Sequence, residues 1–375
     1  MILNTHLFTQ NILAILEEHF ADDARDILEQ SPLLGYLNYK TKSANSGSKS
    51  RGAFGNHYAL YVVIEDYIQQ GFYTGAAKIS YSKYKGAKFS DLFKRQRELP
   101  FGAKLQNHAL NARLNDEFKK LYPSIGKVPI IRNVETQRYW IQRDLLMVSL
   151  NTHTYNIAQA VLDIIDAYIV TKKFAFESFL ESCRRISELS DKNLEEARVF
   201  IIEQLNPQID ARIFEIVSYA VLKSKFANES IWIGKTKESV KQEILKLYKT
   251  GRTNANDGGI DFVMKPVGRF FQVTETVDVN KYFLDIDKVQ RFPITFVVKS
   301  MQTSEEIILM IEQQANEKYG IDDVVKTYMN AIEGVITSNE LTLYFDEIVR
   351  NGKLREVMNE IITQSMVEFN YVEEV

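Results

Sequence analysis

The chain has a single cysteine, Cys183, among its 375 residues, so no disulfide can form within it. No stretch approaches the roughly eighteen consecutive apolar residues that a membrane-spanning helix needs. The first thirty residues lack both a basic start and an uninterrupted apolar run. They carry Glu17, Glu18, Asp22, Asp23 and Asp26 on what reads as an amphipathic helix, so no secretory signal is expected. Internal repeats, long linkers and a G-x-x-x-x-G-K-[ST] phosphate loop are also missing. These absences give the expectation of a cytoplasmic protein with no membrane association.

What is present is an ordinary globular balance, 45% apolar and 25% charged, in a chain too long for one core; two or three domains are expected. The net charge of −3 conceals an uneven distribution. Residues 72–113 hold nine Lys/Arg against two acids, whereas residues 303–375 hold five against fifteen. Basic segments gather near polyanions, and a solvated helix face is the competing explanation.

Apolar spacing predicts helix over residues 1–35, over 57–69, and from "TYNIAQAVLDIIDAYIVTKKF" onward, where Ile157, Val161, Ile164, Ile165 and Tyr168 share one face. Past "LNPQID" the pattern changes. "ARIFEIVSYAVLKSKF" reads as helix, "SIWIGKT" as strand and "KESVKQEILKLYKT" as helix. "IDFVM", "RFFQVTE" and "PITFVVKS" read as strands, and "SEEIILMIEQQANEKY" as helix. Such alternation predicts an α/β or α+β domain with a mixed sheet flanked by helices. The expected organisation is a largely helical region over 1–205, the mixed-sheet domain over 206–303, and acidic helices over 304–375.

Two groups of residues suggest chemistry. In the amino-terminal region Tyr73, Tyr81, Tyr84, Phe89, Phe93 and Phe101 are interleaved with basic side chains. Arg95, Gln96, Arg97, Lys104, Gln106, Asn107, His108, Asn111 and Arg113 include the types that form paired hydrogen bonds to base edges or contact phosphates. Lys49 and Arg51 end a Ser/Gly/Lys stretch suited to a phosphate-bearing ligand. The bland reading places the aromatics in a core and the polar groups on the surface.

The second group follows "NANDGGID". Asp261 opens a strand immediately after two glycines, and Gln272 with Thr274 shares one face of the next strand. A carboxylate and an amide oxygen on adjacent strands form a donor set that suits Mg²⁺. Glu215, an acid among Ile213, Phe214, Ile216 and Val217, is the candidate third ligand. Asp257 reads as a turn-former, and Lys235, Lys237 and Arg252 as phosphate contacts.

A helix "FE", then "TGRTNANDGGIDFVM", then a strand bearing Gln resembles the Mrr-like branch of the PD-(D/E)XK nucleases, whose pattern is a helix Glu, G-x-x-x-D-G-G-I-D and Q-x-K. The match covers residues 210–300; the whole chain is similar in general to type II restriction endonucleases. The resemblance implies a PD-(D/E)XK core in which Glu215, Asp261 and Gln272 hold Mg²⁺. It also implies site-specific hydrolysis of double-stranded DNA to 5′-phosphates, a homodimer, and a cognate DNA methyltransferase as functional partner. The pattern breaks at Thr274, where the family has its catalytic Lys. Lys299, Lys265 or Glu275 could take that role; if none does, the fold is a DNA-binding scaffold without catalysis. The same residues are also compatible with a methyl-directed type IV nuclease and with a helical protein that binds an acidic partner.

Overall fold

The computed structural model describes residues 5–42, 44, 50–189, 194–250 and 260–369. The chain divides into two compact units, Met1–Ser178 with Glu368–Val375, and Phe179–Val367.

The first unit opens with α1 (Leu7–Phe20), α2 (Ala24–Gln30) and α3 (Pro32–Thr41). Phe8, Ile12 and Leu16 recur every four residues and are buried, the stripe expected of a helix laid on a core. The run is broken at Ala21, whose φ is 49°, and again at Ser31, which caps α3 by accepting from the Leu34 N–H at 3.2 Å, with Pro32 in the first helical position. Next come α4 (Ser50–Gln69), β1 (Ala87–Lys88), α5 (Phe89–Glu98), a π-helical turn over Ala109–Arg113, and α6 (Leu114–Leu121). Short strands β2 (Ile130–Asn133), β3 (Arg138–Ile141), β4 (Met147–Leu150) and β5 (His153–Asn156) precede α7 (Ala158–Ser187), within which the chain passes into the second unit. The strands form an antiparallel sheet of order β1-β3-β2 and a β4-β5 hairpin. Tyr58, Leu60 and Ile64 of α4 share one core with Ile157, Val161, Ile164, Ile165 and Tyr168, all fully buried. The aromatics Tyr73, Tyr81, Phe89, Phe93 and Phe101 pack against that core, so the bland reading holds for them.

The second unit contains α8 (Leu194–Gln204), α9 (Ala211–Phe226), β6 (Ser230–Ile233), β7 (Lys241–Ile244), β8 (Lys246–Lys249), β9 (Phe262–Lys265), β10 (Arg269–Thr274), α10 (Val279–Lys288), β11 (Ile294–Val298), α11 (Ser304–Tyr319), α12 (Asp322–Ala331), β12 (Ile332–Thr337), α13 (Ser338–Arg350) and α14 (Leu354–Phe369). Its sheet has the order β12-β11-β10-β9-β8, antiparallel across β8, β9 and β10 and parallel across β10, β11 and β12. All five residues of β11 are buried, as a parallel strand covered on both faces requires. One face is covered by α9, through Tyr219 on Phe262 and Phe226 on Phe271. The other is covered by α10 and α11, with the Tyr282 ring 4.2 Å from that of Phe296. The protein is thus a mixed α+β chain with a five-stranded mixed sheet among helices.

Two expectations need correction. "KESVKQEILKLYKT" forms β7 and β8 rather than a helix, because Leu245 and Leu247 alternate into the core while Lys246 and Tyr248 point outward. "IEGVIT", expected within acidic helices, is β12, an edge of the main sheet, so the carboxy-terminal segment completes the sheet domain. Among the described residues no helix is long and apolar enough to cross a membrane.

Replacing Phe296 with Ala removes a fully buried ring from beneath α10. A loss of about 3–5 kcal/mol is expected, read as a lower urea midpoint by circular dichroism. An unchanged midpoint would show that α10 does not rest on this strand.

Candidate functional site

Asp210 caps α9, accepting from the Arg212 N–H at 2.8 Å, and Glu215 lies in the helix's second turn with only 6% of its surface exposed. A carboxylate there must be compensated or neutralised. Arg212, one turn back, is ion-paired to Oε2, and Lys249, the last residue of β8, brings its Nζ to 2.9 Å from Oε1. Glu215 therefore joins α9 to the edge of the sheet.

Asp261 immediately precedes β9. Its backbone stays laced between two strands: its N–H donates to Phe271 O at 3.2 Å, and its carbonyl accepts from Thr250 N–H at 2.9 Å. The pairing of Phe271 with Phe262 would set Ile260 opposite Val273, yet the Val273 N–H donates to Asp261 Oδ2 at 2.7 Å. The carboxylate thus serves where a backbone acceptor would in a continued ladder. Burial and, next, the nearby Glu215 charge push the Asp261 carboxyl up to about 7, against the lowering effects of Val273 N–H, Arg212 and Lys249.

Gln272 belongs to the opposite layer. Phe271 faces α9, so its neighbour faces α10, beside its parallel partner Phe296. Its Oε1 is buried without a hydrogen-bond partner, and no described hydrogen bond joins it to Asp261 or Glu215. The expectation that adjacent strands bring the Asp261 carboxylate and the Gln272 amide oxygen to one spot is corrected: the bend before β9 turns the Asp261 side chain toward Glu215, while Gln272 stays beside Phe296. Among the described residues no three His, Cys, Asp or Glu side chains cluster closely enough to hold a metal. The donor chemistry nevertheless fits Mg²⁺: two buried carboxylates side by side, of which Asp261 is pushed up first by burial and then by the Glu215 charge, with oxygen donors in both.

The three substitutes for the missing Lys separate clearly. Lys299, just past β11, is buried; its Nζ donates to Ile209 O at 2.8 Å, at the entrance to α9, and pairs with Glu275 at 2.5 Å. Glu275 reaches this layer by simple alternation from Phe271 and Val273. Lys265 is exposed and rests over the Tyr248 ring at the sheet edge. Thr274 receives the ammonium of Lys281 on α10 at 3.1 Å. Sequence reasoning missed Arg212, Lys249 and Lys281. Arg212 was discernible as an i,i+3 partner of Glu215, whereas Lys249 was hidden by the helical reading of β8.

The expected base readers are largely engaged within their own unit. Arg95 forms two 2.8 Å bonds to Glu65, on a cavity of about 500 Å³ also lined by Asp66, Lys88, Asp91 and Arg138. Gln96 is wholly buried, with Nε2 on Gly55 O, so it is no surface reader. Arg97 donates to Ala103 O at 2.7 Å, Asn111 accepts from the Tyr139 hydroxyl at 2.9 Å, and Arg113 pairs with Glu117 at 2.9 Å. Lys104, Gln106 and His108 are exposed and Asn107 half-buried. Arg51 lies in α4 but its side chain, like Lys49, Arg252 and Asp257, is outside the described residues.

Folding raises the Asp261 carboxyl above its unfolded value of about 3.9. Between about pH 4 and 7 the native state therefore keeps a proton the unfolded chain has released, and stability falls as pH rises through that window. Asp261→Asn, whose amide oxygen can still accept from Val273, should melt with the parent near pH 4.5 and several degrees above it at pH 8, both in EDTA. Parallel melting curves across that range would sink the assignment.

Compared with protein-family models, with curated proteins and with solved structures, the chain matches none.

Proposed function

We propose that this chain is a Mg²⁺-dependent endonuclease of restriction type, which hydrolyses phosphodiester bonds at specific sites in double-stranded DNA. The observation that carries the reading is the buried Glu215 and Asp261 pair, held where α9, β8, β9 and β10 converge, with the Asp261 carboxyl pushed up by burial and by the Glu215 charge although Arg212 and Lys249 are close by. Such a pair is destabilising by itself, and it suits a site that receives a cation. The order of elements, an acid-bearing helix followed by an antiparallel meander and a parallel strand, also supports the PD-(D/E)XK resemblance.

Asp261 and Glu215 would hold the metal, and Gln272, whose side chain lies in the α10 layer, would take no part in it. Bound Mg²⁺ supplies polarisation of a phosphoryl oxygen and a lowered pKa for a water. The Val273 N–H orients the Asp261 carboxylate through Oδ2 and leaves Oδ1 for the cation. Lys299 provides the positive charge for the phosphorane, in place of the Lys absent at Thr274, and Glu275 positions its ammonium. Water oxygen would join phosphorus, releasing a proton to solvent, as the bond to the 3′-oxygen breaks and that oxygen takes up a proton from solvent, leaving a 5′-phosphate and a 3′-hydroxyl. The homodimer and the companion methyltransferase belong to the same reading, since a two-fold enzyme suits a palindromic site and the host's own copies of that site need protection.

A second reading has a specific observation in its favour: Lys299 is already held by both Glu275 and Ile209 O, as a purely structural lysine would be. The fold would then bind DNA without cutting it. Digestion of unmethylated phage DNA and of methylated plasmid in Mg²⁺ separates these cases. Discrete bands from the unmethylated DNA, reduced roughly 100-fold or more in Asp261→Ala and in Lys299→Ala, are expected. Cleavage of methylated DNA alone would indicate a type IV enzyme. Duplex binding with no cleavage would favour the scaffold.

A further inference from the structure

Between the two acids of the candidate site the chain makes a detour whose surface the catalytic reading leaves unused. After α9 it forms the two-stranded antiparallel ribbon of β6 and β7, then enters β8, whose last residue Lys249 contacts Glu215. The ribbon is anchored at its base, where Leu245 N–H donates to Glu229 O at 2.8 Å and the Leu245 side chain is buried.

Its register pairs Ser230 with Ile244 and Trp232 with Gln242, so these four side chains share one face. That face is open: Trp232 is 71% exposed and Ile244 57%. Gln242 Nε2 donates to Ser230 Oγ at 2.6 Å, which fixes the amide beside the indole. At the tip a 3₁₀ turn with a Thr236 and Ser239 capping box presents exposed Lys235 and Lys237. The ribbon, residues 230–244, contains three lysines against two glutamates; Lys241 pairs with Glu243 at 2.9 Å, which leaves Lys235 and Lys237 at the tip with Glu238.

We infer that the β6–β7 ribbon is a duplex-DNA docking element, which enters a groove with Trp232 and Gln242 toward the base edges and sets Lys235 and Lys237 on flanking phosphates. A two-stranded ribbon matches the width of the major groove. An exposed indole beside an oriented amide, with two exposed lysines at the tip, fits a wet, anionic surface better than an apolar protein partner, which would leave the tip lysines without counter-charge. The inference rests on the reading of this unit as DNA-directed but not on cleavage. It accounts for recognition by an element covalently continuous with the site, where the basic amino-terminal segment has its best side chains already engaged.

The test is equilibrium binding of the full chain to a labelled 30-base-pair duplex containing the cleaved sequence, or random sequence if none is cleaved. Fluorescence anisotropy is read in EDTA between low and moderate salt. Lys235→Ala/Lys237→Ala should flatten the slope of log affinity against log salt by about two. Trp232→Ala should weaken binding about tenfold or more with the slope unchanged. Both changes are at exposed positions, and thermal melts check that the fold persists. Parent-like affinity and slope in both variants would overturn the inference while leaving the nuclease reading intact. Ribbon-dependent binding without cleavage would support the inference and end that reading. No duplex binding by the parent would overturn the inference. So would a Trp232-dependent dimer by light scattering with unaltered DNA affinity, since a second copy would then cover the face.

Discussion

Glu215 sits in a helix whose neighbouring side chains are nearly all buried, and an ionised carboxylate in that position is tolerable only with cations brought to it. Two elements provide them. Arg212 comes from the same helix and Lys249 from the end of β8, and Lys249 can be there only because β8 ends beside α9. The sheet edge, the helix and the bend before β9 are therefore mutually fixed by one buried charge. Removing Glu215 would leave the buried Lys249 ammonium without its 2.9 Å partner and change the charge that acts on Asp261, so these residues form a unit rather than a set of independent pairs.

The same constraint explains why Asp261 is perturbed. Two cations offset Glu215, but Arg212 is partly exposed and its charge is screened by solvent, whereas Asp261 is buried against the Glu215 side of the cluster. The Val273 N–H gives it one good hydrogen bond, which is insufficient to restore an ordinary carboxylate pKa. A structural acid would be expected to acquire further donors; this one is left with its second oxygen unaccounted for by any described bond. Stability has been given up at a point where three strands and a helix converge, as happens where a ligand is to be bound.

Much of the second unit was legible because its strands are short apolar runs between turn residues and its helices carry clean periodicity. The failures have physical causes. In "ESVKQEILKLYK" the apolar residues Val240, Ile244 and Leu247 sit three and four apart, as in a helix. Leu245 and Leu247 also alternate as in a strand, and pairing to β6 and β9 decides between the two patterns. "IEGVIT" was concealed by helical neighbours on both sides. The acids Glu215 and Asp261 were legible as a pair, whereas the facing of Gln272 was not. Strand alternation gave its side correctly relative to Thr274, but the bend at Asp261 broke the alternation on the partner strand. A side-chain bond replacing a ladder bond leaves no mark in a one-dimensional pattern.

Charge counting along the sequence could not show which side chains of the basic segment folding leaves exposed. Net charge measures what the chain carries, while binding to a polyanion depends on what remains unpaired and exposed after folding. Arg95 and Arg113 are committed to Glu65 and Glu117, and Arg97 is bound to a carbonyl. The ribbon inverts this relation. Its surplus is smaller in number, yet Lys235 and Lys237 stand at an exposed tip where, in sequence, no acid but Glu238 adjoins them, on a strand pair that runs on into β8, whose Lys249 contacts Glu215. Charge that folding leaves at the surface, beside an indole that folding leaves uncovered, is the more specific signal of where an anionic polymer would be held.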